Sequence, residues 1–330
     1  MVLTVLRACH LSEAVCGRKS YLANRKSVSR RDNIPVTPHK RPKGAQCGDG
    51  DAHIIINGTF EINAYFCTLK KSNTMAYALV TGGSSGIGYA YAEELAQKGY
   101  DILVVSNRED LNQSAQASLQ QNFPNIKITT LYADLTDADA PQRLLDYCHE
   151  NGIEVEVLVN NAGMFYFGAV VDHPAKLTEK MVMLHNYAPA SLCALFGAEM
   201  KARHKGYILN ASSITAYMTF PTIAAYEASK AFLLKFSKGL AFELSHHGVK
   251  VCAVCPGAVD TDLYNLSPNL RKWLCRFGIM LKPRQVAHRG VRALFNGRKR
   301  KVPGLINHFF IFCCLLLPGF LVDLVKKKFV

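Results

Sequence analysis

A short apolar run, Tyr77-Ala-Leu-Val80, leads directly into Thr81-Gly-Gly-Ser-Ser-Gly-Ile-Gly88 and then into Tyr89-Ala-Tyr-Ala-Glu-Glu-Leu-Ala-Gln-Lys98. The first segment reads as a strand, the second as a tight turn and the third as a helix, which is the context that gives a glycine motif meaning. Gly82, Gly86 and Gly88 allow the backbone to turn sharply and to approach a bound group closely. Ser84, Ser85 and Ile87 complete the turn. A helix that starts there points its positive end at whatever sits in the turn, which suits a phosphate. Few folds begin this way, and the rest of the chain must supply the matching strands.

It does so as far as about residue 255. Strand-like runs are expected at Ala78–Val80, Ile102–Val105, Ile126–Leu131, Val157–Val159, Tyr207–Asn210 and Lys250–Val254. Helical patterns fall between them, near Tyr89–Lys98, Leu111–Asn122, Gln142–Asn151, Thr178–Arg203 and Ala224–His247. Alternation of this kind, with almost continuously apolar strands, predicts an α/β fold: a doubly wound parallel sheet of Rossmann type, in a single domain over residues 75–304. Ligands of such sheets sit beyond the carboxyl ends of the strands.

A second pattern carries chemistry. In Tyr226-Glu-Ala-Ser-Lys230 the tyrosine and lysine are four residues apart, so on a helix they share a face. An ammonium beside a phenol favours the phenolate and lowers the phenol pKa. Such a tyrosine can give a proton to a carbonyl oxygen or take one from an alcohol. Ser213, thirteen residues before Tyr226, offers a neutral hydroxyl to the same oxygen.

Four blocks, in this order and spacing, resemble the short-chain dehydrogenase/reductase family. They are Thr81–Gly88, Asn160-Asn161-Ala162-Gly163, Ser213 with Tyr226 and Lys230, and Pro256-Gly257-Ala-Val259-Asp-Thr261. The resemblance runs from about Met75 to Gly304. Within it, Gly86–Leu95 resembles a branch containing 3-oxoacyl-thioester reductases and some hydroxysteroid dehydrogenases. The resemblance implies that Tyr226 is the general acid/base, that Lys230 tunes it and holds the nicotinamide ribose, and that Ser213 orients the substrate oxygen. It implies that Asn186 supports a proton-relay water. It further implies cofactor contacts from Asn161, Ala162 and Gly163, from Asp134 and Leu135 near the adenine, and from Pro256, Gly257, Val259 and Thr261 near the nicotinamide.

Charge bears on which dinucleotide is expected. NAD-binding folds place an acid about twenty residues beyond the glycine turn, to hold the ribose 2′-hydroxyl. Here that region is Val104-Val-Ser-Asn-Arg108, with no acid at the strand end. Arg108 can pair with a 2′-phosphate, so NADP(H) is favoured over NAD(H). Glu109 and Asp110 follow at once and count against it.

The basic balance belongs to the ends. Residues 1–74 carry a net +7, residues 75–281 a net −3 and residues 282–330 a net +10. The body lacks basic residues interleaved with aromatics, so no nucleic-acid partner is expected. Eleven scattered cysteines suit a reducing compartment, which points to the cytoplasm. Cys252 and Cys255 fall three apart in an expected strand and so face opposite sides. No metal site is expected. His246 and His247, before Gly248, fit a helix end.

Three readings of residues 1–74 stay open: a start assigned upstream of a true Met75, a disordered basic tail, or a transit peptide. At the other end, Phe309–Val322 is fourteen residues without a charge, short of the roughly twenty that a spanning helix needs. With Arg298–Lys301 and Lys326–Lys328 beside it, the segment reads as an interfacial membrane anchor through residues 306–328, as a flap over the site, or as a dimer contact. The resemblance implies that substrate specificity sits in Asp262–Lys282; that segment is largely apolar and, with the apolar tail, suggests a lipophilic carbonyl or alcohol: a 3-oxoacyl thioester, a steroid or a long-chain ketone. The resemblance implies a homodimer or homotetramer. A competing reading is an NADP-binding regulatory scaffold on the same fold. Against it stands the presence of both Tyr226 and Lys230.

Overall fold

The computed structural model describes residues 76–219, 222–261, 272, 275, 276 and 280–316. The expectations for residues 1–74, for Leu317 onward and for most of the apolar Asp262–Lys282 segment (262–271, 273, 274 and 277–279) lie outside the described residues.

In chain order the elements are β1 (Tyr77–Thr81), α1 (Gly86–Ala96), β2 (Asp101–Ser106), α2 (Glu109–Asn122), β3 (Ile128–Tyr132), α3 (Ala140–Glu150) and β4 (Val155–Asn160). There follow α4 (Ala175–Val182), a π turn (Met183–Tyr187), α5 (Ala188–Ala202), β5 (Gly206–Ala211) and a 3-10 turn (Ile214–Tyr217). The chain continues with α6 (Ala224–Glu243), β6 (Val249–Val254), α7 (Pro283–Phe295), β7 (Arg300–Lys301) and α8 (Leu305–Leu316). The strands form one parallel sheet in the order β3-β2-β1-β4-β5-β6-β7. This is the doubly wound sheet expected, and the order reverses between β1 and β4.

Strands β1, β2 and β4 are buried at every position. Successive side chains leave on opposite faces, so each strand feeds two cores. Ala78 and Val80 pack with Tyr91, Leu95, Leu119, Val286 and Val291 of α1, α2 and α7. Tyr77 and Leu79 pack with Leu144, Leu192, Phe196 and Leu244 on the other side. Cys252 joins the first core, whereas Cys255, just past β6, packs with Ile214 and Val302 in a third cluster, so the two thiols do not form a pair.

Three expectations need correction. The third strand is Ile128–Tyr132, because Ile126 lies in the turn, where its amide bonds the carbonyl of Phe123. The helix expected over Thr178–Arg203 is divided by the π turn, which adds a residue to the hydrogen-bonded ring. Helix α6 ends at Glu243, with Ser245–His247 in a separate 3-10 turn closed by Gly248 at φ +70°. Helix α7 and strand β7 were not anticipated.

Candidate functional site

The sheet reverses its winding where Thr81 ends β1 and Asn160 ends β4. Thr81 Oγ1 accepts the amides of Asn161 and Ala162 at 3.0 and 3.1 Å, tying the two strand ends together. Asn161 Nδ2 donates to the carbonyls of Thr81 and Gly82, so its side chain holds the glycine turn in shape. Gly82 takes φ +61° and Gly86 φ +56°, conformations that favour glycine. A Cβ on Gly82 would come 2.9 Å from Ala162 Cα, and one on Gly88 would overlap the Gly82 carbonyl oxygen. The first turn of α1 carries no acid, so nothing in it neutralises the positive helix end. A narrow, backbone-lined and electropositive cradle of this kind fits a dinucleotide pyrophosphate.

A cavity of about 610 Å³ opens over this cradle and collects the sequence-predicted residues, all except Gly88 and Asn186. Gly88 is buried inside α1. Asn186 lies in the π turn, half-buried, and its Nδ2 donates to the Ser229 carbonyl at 2.9 Å. A second cavity of about 560 Å³ beside α4, lined by residues such as Val171 and Val182, holds none of the predicted residues.

On the β5 side of the cavity, Ser213 follows that strand, is buried, and accepts the Thr215 amide at 3.2 Å. Lys230 is buried in α6 and its Nζ donates to the Ala211 carbonyl at 3.0 Å. Burial pulls the pKa of its ammonium down to about 8. The same Nζ lies 5.6 Å from the centre of the Tyr226 ring, and Phe165 packs edge-on to that ring at 4.8 Å. Ser212 Oγ donates to the Lys230 carbonyl at 2.8 Å, binding helix to strand end. Behind them, Asn160 Nδ2 donates to Asn210 Oδ1 and Asn210 Nδ2 to Ser237 Oγ, each at 2.8 Å. This buried chain sets α6 against β4 and β5.

At the other end, Ser84 Oγ donates to Ser106 Oγ at 2.9 Å beside Arg108. The Arg108 guanidinium bonds the Asp110 carboxylate, at 3.4 Å from Nε and 3.3 Å from Nη2, and holds that carboxyl below its usual range. Both side chains are exposed, so the pair is weak and open to exchange. Asp134 Oδ1 accepts from the amide and hydroxyl of Thr136. Val259 is buried and bridges to Leu281, and Thr261 Cγ2 lies against Gly86. Sequence reasoning missed Thr81, Asn210, Ser212, Ser237 and His185. Thr81 opens the glycine block, Ser212 and His185 adjoin residues already singled out, and Ser237 lies seven residues after Lys230 on the same helix, whereas Asn210 on β5 gave no such signal.

Residues 76–270 match the family model described as short chain dehydrogenase. Dehydrogenase/reductase SDR family member 4 of Bos taurus is 32% identical over 199 residues, which is 59% of this chain and 71% of that protein. The very-long-chain 3-oxoacyl-CoA reductase of Mus musculus is 32% identical over 201 residues, 59% of this chain, and the match spans only 64% of that relative. A solved short-chain dehydrogenase from Sphingobium yanoikuyae, in complex with NADPH, is 28% identical. Its likeness covers 69% of this chain and 87% of that one, with a TM-score of 0.61. With the fold, the glycine cradle and the family model agreeing over more than half of its length, the chain belongs to the short-chain dehydrogenase/reductase family and is an NAD(P)-dependent oxidoreductase.

Proposed function

We propose that residues 75–304 form the catalytic domain of a reductase that uses NADPH to convert a lipophilic ketone into a secondary alcohol. The reading is carried by one observation: Ser213, Tyr226 and Lys230 border the same cavity as the glycine cradle. The dinucleotide, when bound, supplies a hydride to the carbonyl carbon. The amides of Gly82–Gly88 and the positive end of α1 would hold its pyrophosphate. Arg108, whose exposed pair with Asp110 is weak, would hold the ribose 2′-phosphate. Asp134 and Leu135 would hold the adenine, while Asn161–Gly163 and Pro256, Gly257, Val259 and Thr261 would hold the nicotinamide, all of them being at the same cavity.

The proton is the protein's share of the chemistry. Ser213 Oγ donates to the carbonyl oxygen and fixes its direction. The Tyr226 phenol gives its proton to that oxygen as the alcohol forms. The ammonium of Lys230 stabilises the phenolate left behind. Asn186, whose side chain donates to the Ser229 carbonyl, would support the water that returns the proton through its main chain. We take the protein to work as a homodimer or homotetramer.

The lipophilic substrate class draws on two supports. One is the similarity to a very-long-chain 3-oxoacyl-CoA reductase. The other is α8, whose Ile311 packs against the cluster holding Ile214, next to Ser213, and whose buried Asn307 abuts Gly257. Leu305, Phe309 and Phe312 of α8 are exposed, with Arg298 and Arg300 exposed just before them. No helix of the described residues is long and apolar enough to cross a membrane. An apolar face with basic neighbours suits a shallow contact with anionic lipid, from which such a substrate would be drawn.

The test is NADPH and NADH consumption by the full chain against 3-oxoacyl thioesters, steroid ketones and simple ketones. Turnover with NADPH on one lipophilic class is expected. Tyr226→Phe should lower kcat by roughly a hundredfold or more with NADPH affinity kept. Arg108→Ala should raise KM for NADPH and leave KM for NADH unchanged. Full turnover by the Tyr226 variant, or equal use of both cofactors by the wild type, would sink the corresponding part.

A further inference from the structure

His185 is fully buried in the π turn, one residue before Asn186, and has no part in the chemistry above. Its two ring nitrogens bond in opposite directions. The Met164 amide donates to Nε2 at 2.9 Å, and Nδ1 lies 2.9 Å from Ser229 Oγ. Ser229 Oγ in turn donates to the Tyr226 carbonyl at 2.6 Å. The directions settle the proton. A backbone N–H can only donate, so Nε2 must accept. The single hydroxyl proton of Ser229 is used on Tyr226, so Nδ1 must carry the hydrogen that reaches Oγ. One neutral tautomer satisfies every partner.

The three bonds run from the loop Asn161–Met164, at the end of β4, to the backbone of the residue placed as general acid. Gly163 permits the approach, since a Cβ there would come 3.1 Å from His185 Nε2. The ring of His185 lies 5.7 Å from that of Tyr226, centre to centre. Asn186 grips the same serine through its carbonyl, so two adjacent residues of the π turn hold Ser229. Burial and the ammonium of Lys230 both press the imidazole well below its usual pKa, in keeping with this bonding.

We infer that His185 is a positioning residue, whose neutral imidazole couples the loop over the cofactor cradle to the helix bearing Tyr226 and Lys230. The inference rests on the reductase reading only for its turnover arm. No other single side chain offers an acceptor on one edge and a donor on the other in so rigid a ring.

Two variants split the two bonds. His185→Gln reaches as far as Nε2 and keeps an acceptor for Met164, while losing Ser229. His185→Asn keeps a donor near Nδ1 and loses Met164. In the first, kcat on the substrate identified above should fall roughly three- to tenfold, the loss of one neutral hydrogen bond, with the Kd for NADPH near that of the wild type. In the second, the Kd for NADPH should rise by roughly the same factor. Equal losses in both variants, or none in either, would overturn the coupling. Nitrogen-15 spectra of the wild type, with His185 assigned by its absence in the glutamine variant, should show the Nδ1–H tautomer and no titration near neutral pH. An Nε2–H tautomer would overturn the inference with no variant involved. A wild type that binds NADPH but turns over nothing would count against the reductase reading alone, because the NADPH and tautomer arms would still decide this one.

Discussion

Lys230 shows what the site costs the fold. Its charge is buried, and the folded-state pKa of about 8 lies below the value of 10.5 for a free lysine. At neutral pH the folded state therefore carries a penalty that the unfolded chain avoids. Lys230→Met removes the charge at similar volume and should stabilise the cofactor-free protein by about 1–3 kcal/mol, less the lost bond to Ala211. The sign is checked by pH. Between about 8 and 10.5 the unfolded chain holds a proton that the fold has shed, so wild-type stability rises with pH across that window. The advantage of the variant should shrink over the same range, measured by urea denaturation, while its turnover stays severely reduced. An unchanged difference at high pH would mean that the charge is not the source.

At the scale of elements, the junction of β1 with α1 is the least tolerant place in the fold. Gly88→Ala would push a methyl group into the backbone carbonyl of Gly82, which has little room to give, and should cost about 1–3 kcal/mol along with NADPH binding. Gly239→Ala, in the exposed interior of α6 with nothing within 4 Å, should instead stabilise by up to about 1 kcal/mol. Thermal denaturation with and without NADPH separates the two. The glycine turn was legible in the sequence because its cause is local: a backbone without side chains can do what others cannot. The π turn and the short strand β7 were not legible. The first depends on how α4 and α5 dock, and the second is two residues that become a strand only because β6 lies alongside.

For the whole molecule, the question is where the apolar face of α8 goes. If it meets anionic lipid, Phe309→Asp with Phe312→Asp should lower binding to phosphatidylglycerol vesicles at low salt several-fold and leave NADPH affinity unchanged. Unaltered vesicle binding would point away from α8. By itself, the sequence determined the parallel doubly wound sheet and the glycine turn, and singled out Ser213, Tyr226 and Lys230 as candidates, because strand burial, glycine conformation and helix periodicity are properties of short stretches. Tertiary structure alone decided the rest. It turned Asn186 onto the Ser229 carbonyl and Arg108 onto Asp110, and ran a hydrogen-bonded line from Met164 through His185 to Tyr226. Those partners lie far apart in sequence or depend on side-chain direction, and a hydrogen bond exists only once folding has brought donor and acceptor within about 3 Å.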